Sequence, residues 1–110
     1  MGDTNYFSGI VKILENPTQS FISDKTLRTT FRVEIPQIRQ NKIVSLVFWG
    51  NLANEVKNYY QINDYILIEG YTSIEKKHSE LVNKKSGKIT ITVLKVYPFL
   101  LKSNQDMIKG

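Results

Sequence analysis

A single tryptophan, Trp49, stands in the chain, followed directly by Gly50. An indole offers a flat π surface, and a nucleic-acid base stacked on such a ring contributes roughly 1–3 kcal/mol. Upstream lie Arg28 and Arg32, whose guanidinium groups can pair anionic oxygens or lie against rings. Arg39 and Lys42 follow in a polar stretch, and Lys76, Lys77, Lys84, Lys85 and Lys88 crowd another, with His78 among them. Together these residue types suit a partner that carries flat rings on a polyanion. Each also has a plain structural reading. Trp49 could pack in a subunit contact or under a helix, the arginines could line a solvated strand face, and the lysines could form a soluble loop edge. His78 reads as an exposed bystander, because one histidine without cysteines cannot make a zinc site of the usual composition.

The bulk properties narrow the classes. The chain has 110 residues, enough for one domain with a real core. Its formal charge is +5, which suits a polyanion without requiring one. It has no cysteine, so disulfide frameworks, thiolate zinc sites and cysteine nucleophiles are excluded. The ten acidic residues are scattered, with no glycine-rich phosphate loop and no nucleophile–histidine–acid set, so the expectation is a protein that is not an enzyme and needs no cofactor. No stretch approaches the roughly 20 apolar residues of a membrane span. The opening Met1-Gly2-Asp3-Thr4-Asn5 lacks the layout of a secretory leader. Abundant Ile, Lys, Asn, Tyr and Phe, with Ala only at Ala53 and three arginines in all, point to an AT-rich genome.

The elements that would carry the candidate residues follow from periodicity. A first strand is expected over 5–15, ended by Asn16-Pro17, and a polar loop then runs through Ser23, Asp24 and Lys25. Leu27 to Ile35 alternates most cleanly: Leu27, Thr29, Phe31, Val33 and Ile35 should face the core, and Arg28, Thr30, Arg32 and Glu34 should face out. Arg39 and Lys42 fall on the next loop. Ile43 to Trp49 is apolar on both faces, with Val44, Leu46 and Phe48 inward, so its outer face needs a partner. Gly50 to Tyr60 reads as the one helix, with Leu52, Val56, Tyr59 and Tyr60 at helical spacing, Asn51 as its cap and Asn63-Asp64 as its stop. A fourth strand is expected from Tyr65 to Tyr71 or slightly beyond, with Ile66 and Ile68 on one face and Tyr71 on the other, where it could reach a ligand. Lys76 to Lys88 reads as a basic loop. The last strand is Lys88 to Tyr97, closed by Pro98. Three strands, one helix and two strands is the order of the five-stranded Greek-key OB-fold barrel, an all-β class. The expected domain is 1–101, followed by a polar tail over 102–110.

The segment Trp49-Gly50-Asn51-Leu52-Ala53, through Tyr59 and Asn63-Asp64 to Ile68-Glu69-Gly70, resembles the bacterial and organellar single-stranded-DNA-binding proteins. Their third strand ends in an aromatic-Gly pair, and their fourth carries an apolar-x-Glu-Gly run. Phe7-Ser8-Gly9-Ile10-Val11 with Asn16-Pro17 resembles the family's first strand and turn. Phe31-Arg32-Val33-Glu34-Ile35-Pro36 looks like a divergent cyanobacterial and plastid-encoded branch, with which the AT-rich composition agrees. The resemblance implies an OB-fold that binds single-stranded DNA without sequence preference in replication, recombination or repair, as a dimer or tetramer, in a plastid stroma or a bacterial cytoplasm. The binding residues would be Trp49, Arg28, Arg32, Tyr71, Arg39, Lys42, Lys76, Lys77, Lys84, Lys85 and Lys88.

Three departures from the family stand out. Ile43 and Lys77 occupy positions where family members place aromatics on the binding face, and the chain ends Asp106-Met107-Ile108-Lys109-Gly110 rather than in an acidic tail. A surface given over to protein contacts in a primosome-like assembly is therefore an alternative reading, and single-stranded RNA is a third, because OB barrels also hold RNA.

Overall fold

Period-two alternation in the sequence becomes alternating burial in the structure. The computed structural model describes residues 5–36, 40–77 and 86–102. Its elements run β1 (Asn5–Ile13), β2 (Thr18–Ser23), β3 (Thr26–Ile35), β4 (Lys42–Trp49), α1 (Gly50–Tyr59), β5 (Tyr65–Lys77) and β6 (Ser86–Leu100). Thr29, Phe31 and Val33 of β3 are buried, as are Val44, Leu46 and Phe48 of β4. Leu27 and Ile35, also expected inward, lie at the ends of β3 and pack against the core only partly buried. Val11 and Ile13 of β1, Ile66 and Ile68 of β5, and Ile91 and Val93 of β6 complete the strand contribution to one core. At its centre the rings of Phe31 and Phe48 stack with centroids 5.2 Å apart.

The sheet order is β1-β5-β6-β4-β3-β2, and a further β1–β3 pairing closes the ring. All neighbours are antiparallel except β4 and β6, which run parallel through Ser45↔Thr90, Leu46↔Ile91 and Val47↔Thr92. The closing seam has only two paired positions, Lys12↔Glu34 and Ile13↔Val33. It is extended by Leu14 N–H donating to Arg32 O at 3.0 Å and by Arg32 N–H donating to Glu15 Oε1 at 2.8 Å. This closed Greek-key barrel with a helix between its third and fourth barrel strands is the OB-fold.

Among the described residues six strands form rather than five. The extra one, β2, lies in the stretch expected as a loop, and it pairs with β3 from Thr18↔Thr30 to Ser23↔Thr26. It lies outside the closed ring, so little of it is buried and no core pattern marks it in the sequence. The β5–β6 hairpin is also longer than expected. It continues through Lys76↔Gly87 and Lys77↔Ser86, five residues or about 17 Å beyond Thr72, the last β5 residue paired with β1. Pro98 does not end β6. It pairs with Ile66 beside a register shift, where a missing N–H is tolerated.

The helix departs from expectation at both ends. Its N-cap is Trp49, with extended dihedrals and no side-chain cap, so Asn51 does not cap it. Gly50 takes a φ of 64°, a left-handed conformation that lets the chain turn from strand to helix at once. The buried stripe is Ala53, Val56 and Tyr60, whereas Tyr59 is exposed. Thr29 anchors the helix from below, its hydroxyl donating to Ala53 O at 2.7 Å. Beyond the helix, Asn63 has a φ of 75°, so it forms the following turn rather than the helix end itself. Tyr59 and Tyr60 meet edge to face with centroids 4.9 Å apart. Burial, then the neighbouring Tyr59, Asp64 and Glu55, pushes the Tyr60 hydroxyl up to about 12.

Two predictions follow from this packing. A Cβ on Gly70 would lie 2.2 Å from the backbone oxygen of Thr92, across the bulge that bends β5 against β6. Gly70→Ala should therefore cost about 1–3 kcal/mol, read as a lower urea midpoint. Because folding raises the Tyr60 pKa above its ordinary value of 10, that contribution to stability is complete below pH 10 and is lost towards pH 12. Tyr60→Phe should make the loss of stability across this window shallower in urea titrations at successive pH. An unchanged slope would mean that Tyr60 titrates alike in the folded and unfolded chain.

Candidate nucleic-acid interface

Residues paired across strands share a face, so the registers define rows of side chains on the outside of the barrel. One row runs Arg32, Ser45, Thr90, Ser73, and the next Thr30, Val47, Thr92, Tyr71, Tyr6. A third holds Ser20, Arg28 and Trp49.

Trp49 ends β4 and caps α1, so its indole stands at the lip where strand becomes helix. It is 41% exposed, not covered by the helix. Arg28 lies directly opposite on β3, with its guanidinium carbon 6.0 Å from the centre of the indole. Arg32 is four residues further along β3, about 13 Å away. Its Nε lies 3.3 Å from Glu15 Oε2, so part of its charge is already paired. The two arginines share a face, as their alternation implies, but only Arg28 is beside Trp49.

The other candidates are more dispersed. Lys42 is the first residue of β4, not part of a loop, and so lies at the opposite end of that strand from Trp49. Ile43, two rows of β4 from Val47, is exposed on the outer face. Lys76, Lys77 and Lys88 belong to the long β5–β6 hairpin, where Lys88 is exposed and pairs with Glu75. Arg39, His78, Lys84 and Lys85 lie outside the described residues, as does the tail from 103 onward.

Tyr71 faces outward, opposite in parity to the buried Ile66 and Ile68, and is 44% exposed. Its ring meets Tyr6 edge to face, with centroids 5.6 Å apart. The Tyr6 hydroxyl donates to the Glu69 carboxylate, and this bond is the main cause of its pKa being raised to about 12. Tyr71 thus belongs to a cluster containing an acid, two strands from Val47. The same outer face carries Ile10, Leu67 and Tyr97 in one row, with Leu100 in line beyond Tyr65. The edge of β1 from Asn5 to Val11 that faces away from β5 has no partner strand among the described residues.

Among the described residues three exposed aromatics carry no signal that marks them as candidates: Tyr6, Phe21 near the tip of the β2–β3 hairpin, and Phe99 near the end of β6. Phe21-Ile22, an apolar pair inside a polar stretch and just before Asp24-Lys25, was the available signal for a hairpin there.

Comparison with known proteins adds an independent line. No family model matches the chain. It is 42% identical over 106 residues to the ycf41 protein of Trieres chinensis, which is named as a single-stranded DNA-binding protein, covering 92% of this chain and 94% of that one. Among solved structures, the single-stranded-DNA-binding domain of a Synechococcus protein superposes with a TM-score of 0.68 at 23% identity, over 84% of this chain and 93% of that one. The mitochondrial single-stranded DNA-binding protein Rim1 of S. cerevisiae does so with a TM-score of 0.73 at 9% identity, over 90% and 98%. The two structures speak for the barrel alone. The sequence likeness spans nearly the whole of both chains, and the chain belongs to the single-stranded-DNA-binding protein family.

Proposed function

We propose that this protein binds single-stranded DNA without sequence preference, in replication, recombination or repair, and does so by binding rather than catalysis. The observation that carries the reading is Trp49, a half-exposed indole at the lip of an OB barrel with an arginine beside it. A base stacks on the indole, and the phosphates are drawn by Arg28, Arg32, Arg39 and Lys42 and by Lys76, Lys77, Lys84, Lys85 and Lys88 of the basic stretch. Tyr71 extends the stacking surface for a strand that crosses β6. The relative's designation as a single-stranded DNA-binding protein agrees with this assignment.

The protein works as a homo-oligomer, a dimer or a tetramer. Support comes from the unpaired edge of β1 and from the apolar outer face of Ile10, Leu67 and Tyr97, both of which favour a second copy. Its compartment is a plastid stroma or a bacterial cytoplasm, in keeping with the AT-rich composition and the likeness to the ycf41 protein.

One observation favours a second reading. Ile43 and Lys77 stand where the resemblance would place aromatics, which fits a module whose surface contacts replication proteins instead.

Titration with oligo-dT, read by the single tryptophan in the wild type and by the anisotropy of a labelled oligonucleotide in both wild type and Trp49→Ala, separates the two. The first reading predicts quenching, an affinity that falls steeply with salt, and a loss of about 1–3 kcal/mol in Trp49→Ala. Unchanged binding in that variant would remove the stacking role, and no binding by the wild type at physiological salt would favour the protein-contact module.

A further inference from the structure

Arg28 and Trp49 are a directly opposed cross-strand pair, and the guanidinium lies 6.0 Å from the indole centre. Two features separate this arginine from Arg32. Arg32 is held by Glu15, whereas among the described residues no carboxylate pairs with Arg28. The Arg28 Nε is also buried, with no hydrogen-bond partner among the described residues. A guanidinium turned to phosphate would present its donors to solvent. Here one donor is enclosed, and the ring is the group the cation faces.

We propose that Arg28 is a positioning residue for Trp49: its guanidinium covers one face of the indole and holds it, leaving a single open face for one base. The proposal rests on the stacking role given to Trp49 and deepens it. It moves Arg28 from the phosphate-pairing set to the support of the stacking platform.

The geometry sets the consequences. A face occupied by a cation cannot also take a base, so each protomer stacks one base at this site. The contact restrains an exposed side chain at a helix N-cap that makes no capping hydrogen bond. A cation–π contact at an exposed site is worth about 0.5–1 kcal/mol, so losing the restraint it puts on the ring weakens base stacking by up to about two- to five-fold. A direct phosphate contact would instead contribute about 0.7 to the slope of log affinity against log salt.

These numbers define the test. Wild type, Arg28→Met and Arg28→Lys, each as the full chain, are titrated with oligo-dT at several salt concentrations. The fluorescence anisotropy of Trp49 is measured in the free proteins. The expected result for Arg28→Met is a two- to five-fold weaker affinity, an unchanged salt slope and a more mobile indole, with Arg28→Lys restoring part of both losses. A slope shallower by about 0.7 in Arg28→Met would place Arg28 on a phosphate and overturn the proposal. So would an unchanged affinity, or an indole no more mobile than in the wild type. Failure of the wild type to bind oligo-dT would remove the function given to Trp49, and the free-protein anisotropy would still decide whether Arg28 holds the ring.

Discussion

The barrel depends on a buried carboxylate. Asp64 is almost fully enclosed, and three segments meet at it. Its Oδ2 accepts from Gln61 N–H at 2.9 Å, and its Oδ1 accepts from Lys102 N–H at 2.8 Å. Its backbone oxygen accepts from Ile13 N–H at 2.9 Å, while Asn63 N–H donates to Ile13 O at 2.8 Å. The end of β1, the turn after α1 and the chain beyond β6 are therefore tied at one point. A closed sheet whose seam has two paired positions needs such a tie, because buried polar groups at a barrel end must be satisfied.

From that point the rest of the architecture follows in order. Closure fixes β1 against β3, and the β3–β4 register then sets Arg28 opposite Trp49. The hydrogen bond from Thr29 to Ala53 docks the helix over β3, and Gly50 allows the turn that leaves Trp49 at the lip. The exposed indole thus results from core packing one residue away. Phe48 is fully buried, so alternation must send Trp49 outward. The outer face of β1, β5 and β6 carries one apolar row, Ile10, Leu67 and Tyr97, beside the row in which Glu69 and Lys95 are in register.

Most of the frame was legible in the sequence because it depends on burial. The inward faces of β3, β4 and β5 and the position of the helix could all be read from alternation and helical spacing. The features that escaped were those without a buried pattern. β2 adds to the sheet beyond the closed ring, and the β5–β6 hairpin continues past the barrel, so neither is marked by an apolar face. Helical spacing offers both Tyr59 and Tyr60 to the buried stripe, and only packing decides that Tyr60 takes the core position. Of the candidate site, the facing of Arg28, Arg32, Trp49 and Tyr71 could be read. Their neighbours could not, since alternation says nothing about register: the opposition of Arg28 to Trp49, the hold of Glu15 on Arg32 and the Tyr6–Glu69–Tyr71 cluster all depend on it.

The central claim is that DNA lies over β3 and β4 at Trp49, and ultraviolet cross-linking of oligo-dT followed by peptide mapping tests it most directly. The account predicts an adduct in the tryptic peptide from Ile43 to Lys57, at Trp49. Adducts confined to the peptides of β1 and β5, at Tyr6 or Tyr71 with none at Trp49, would contradict it.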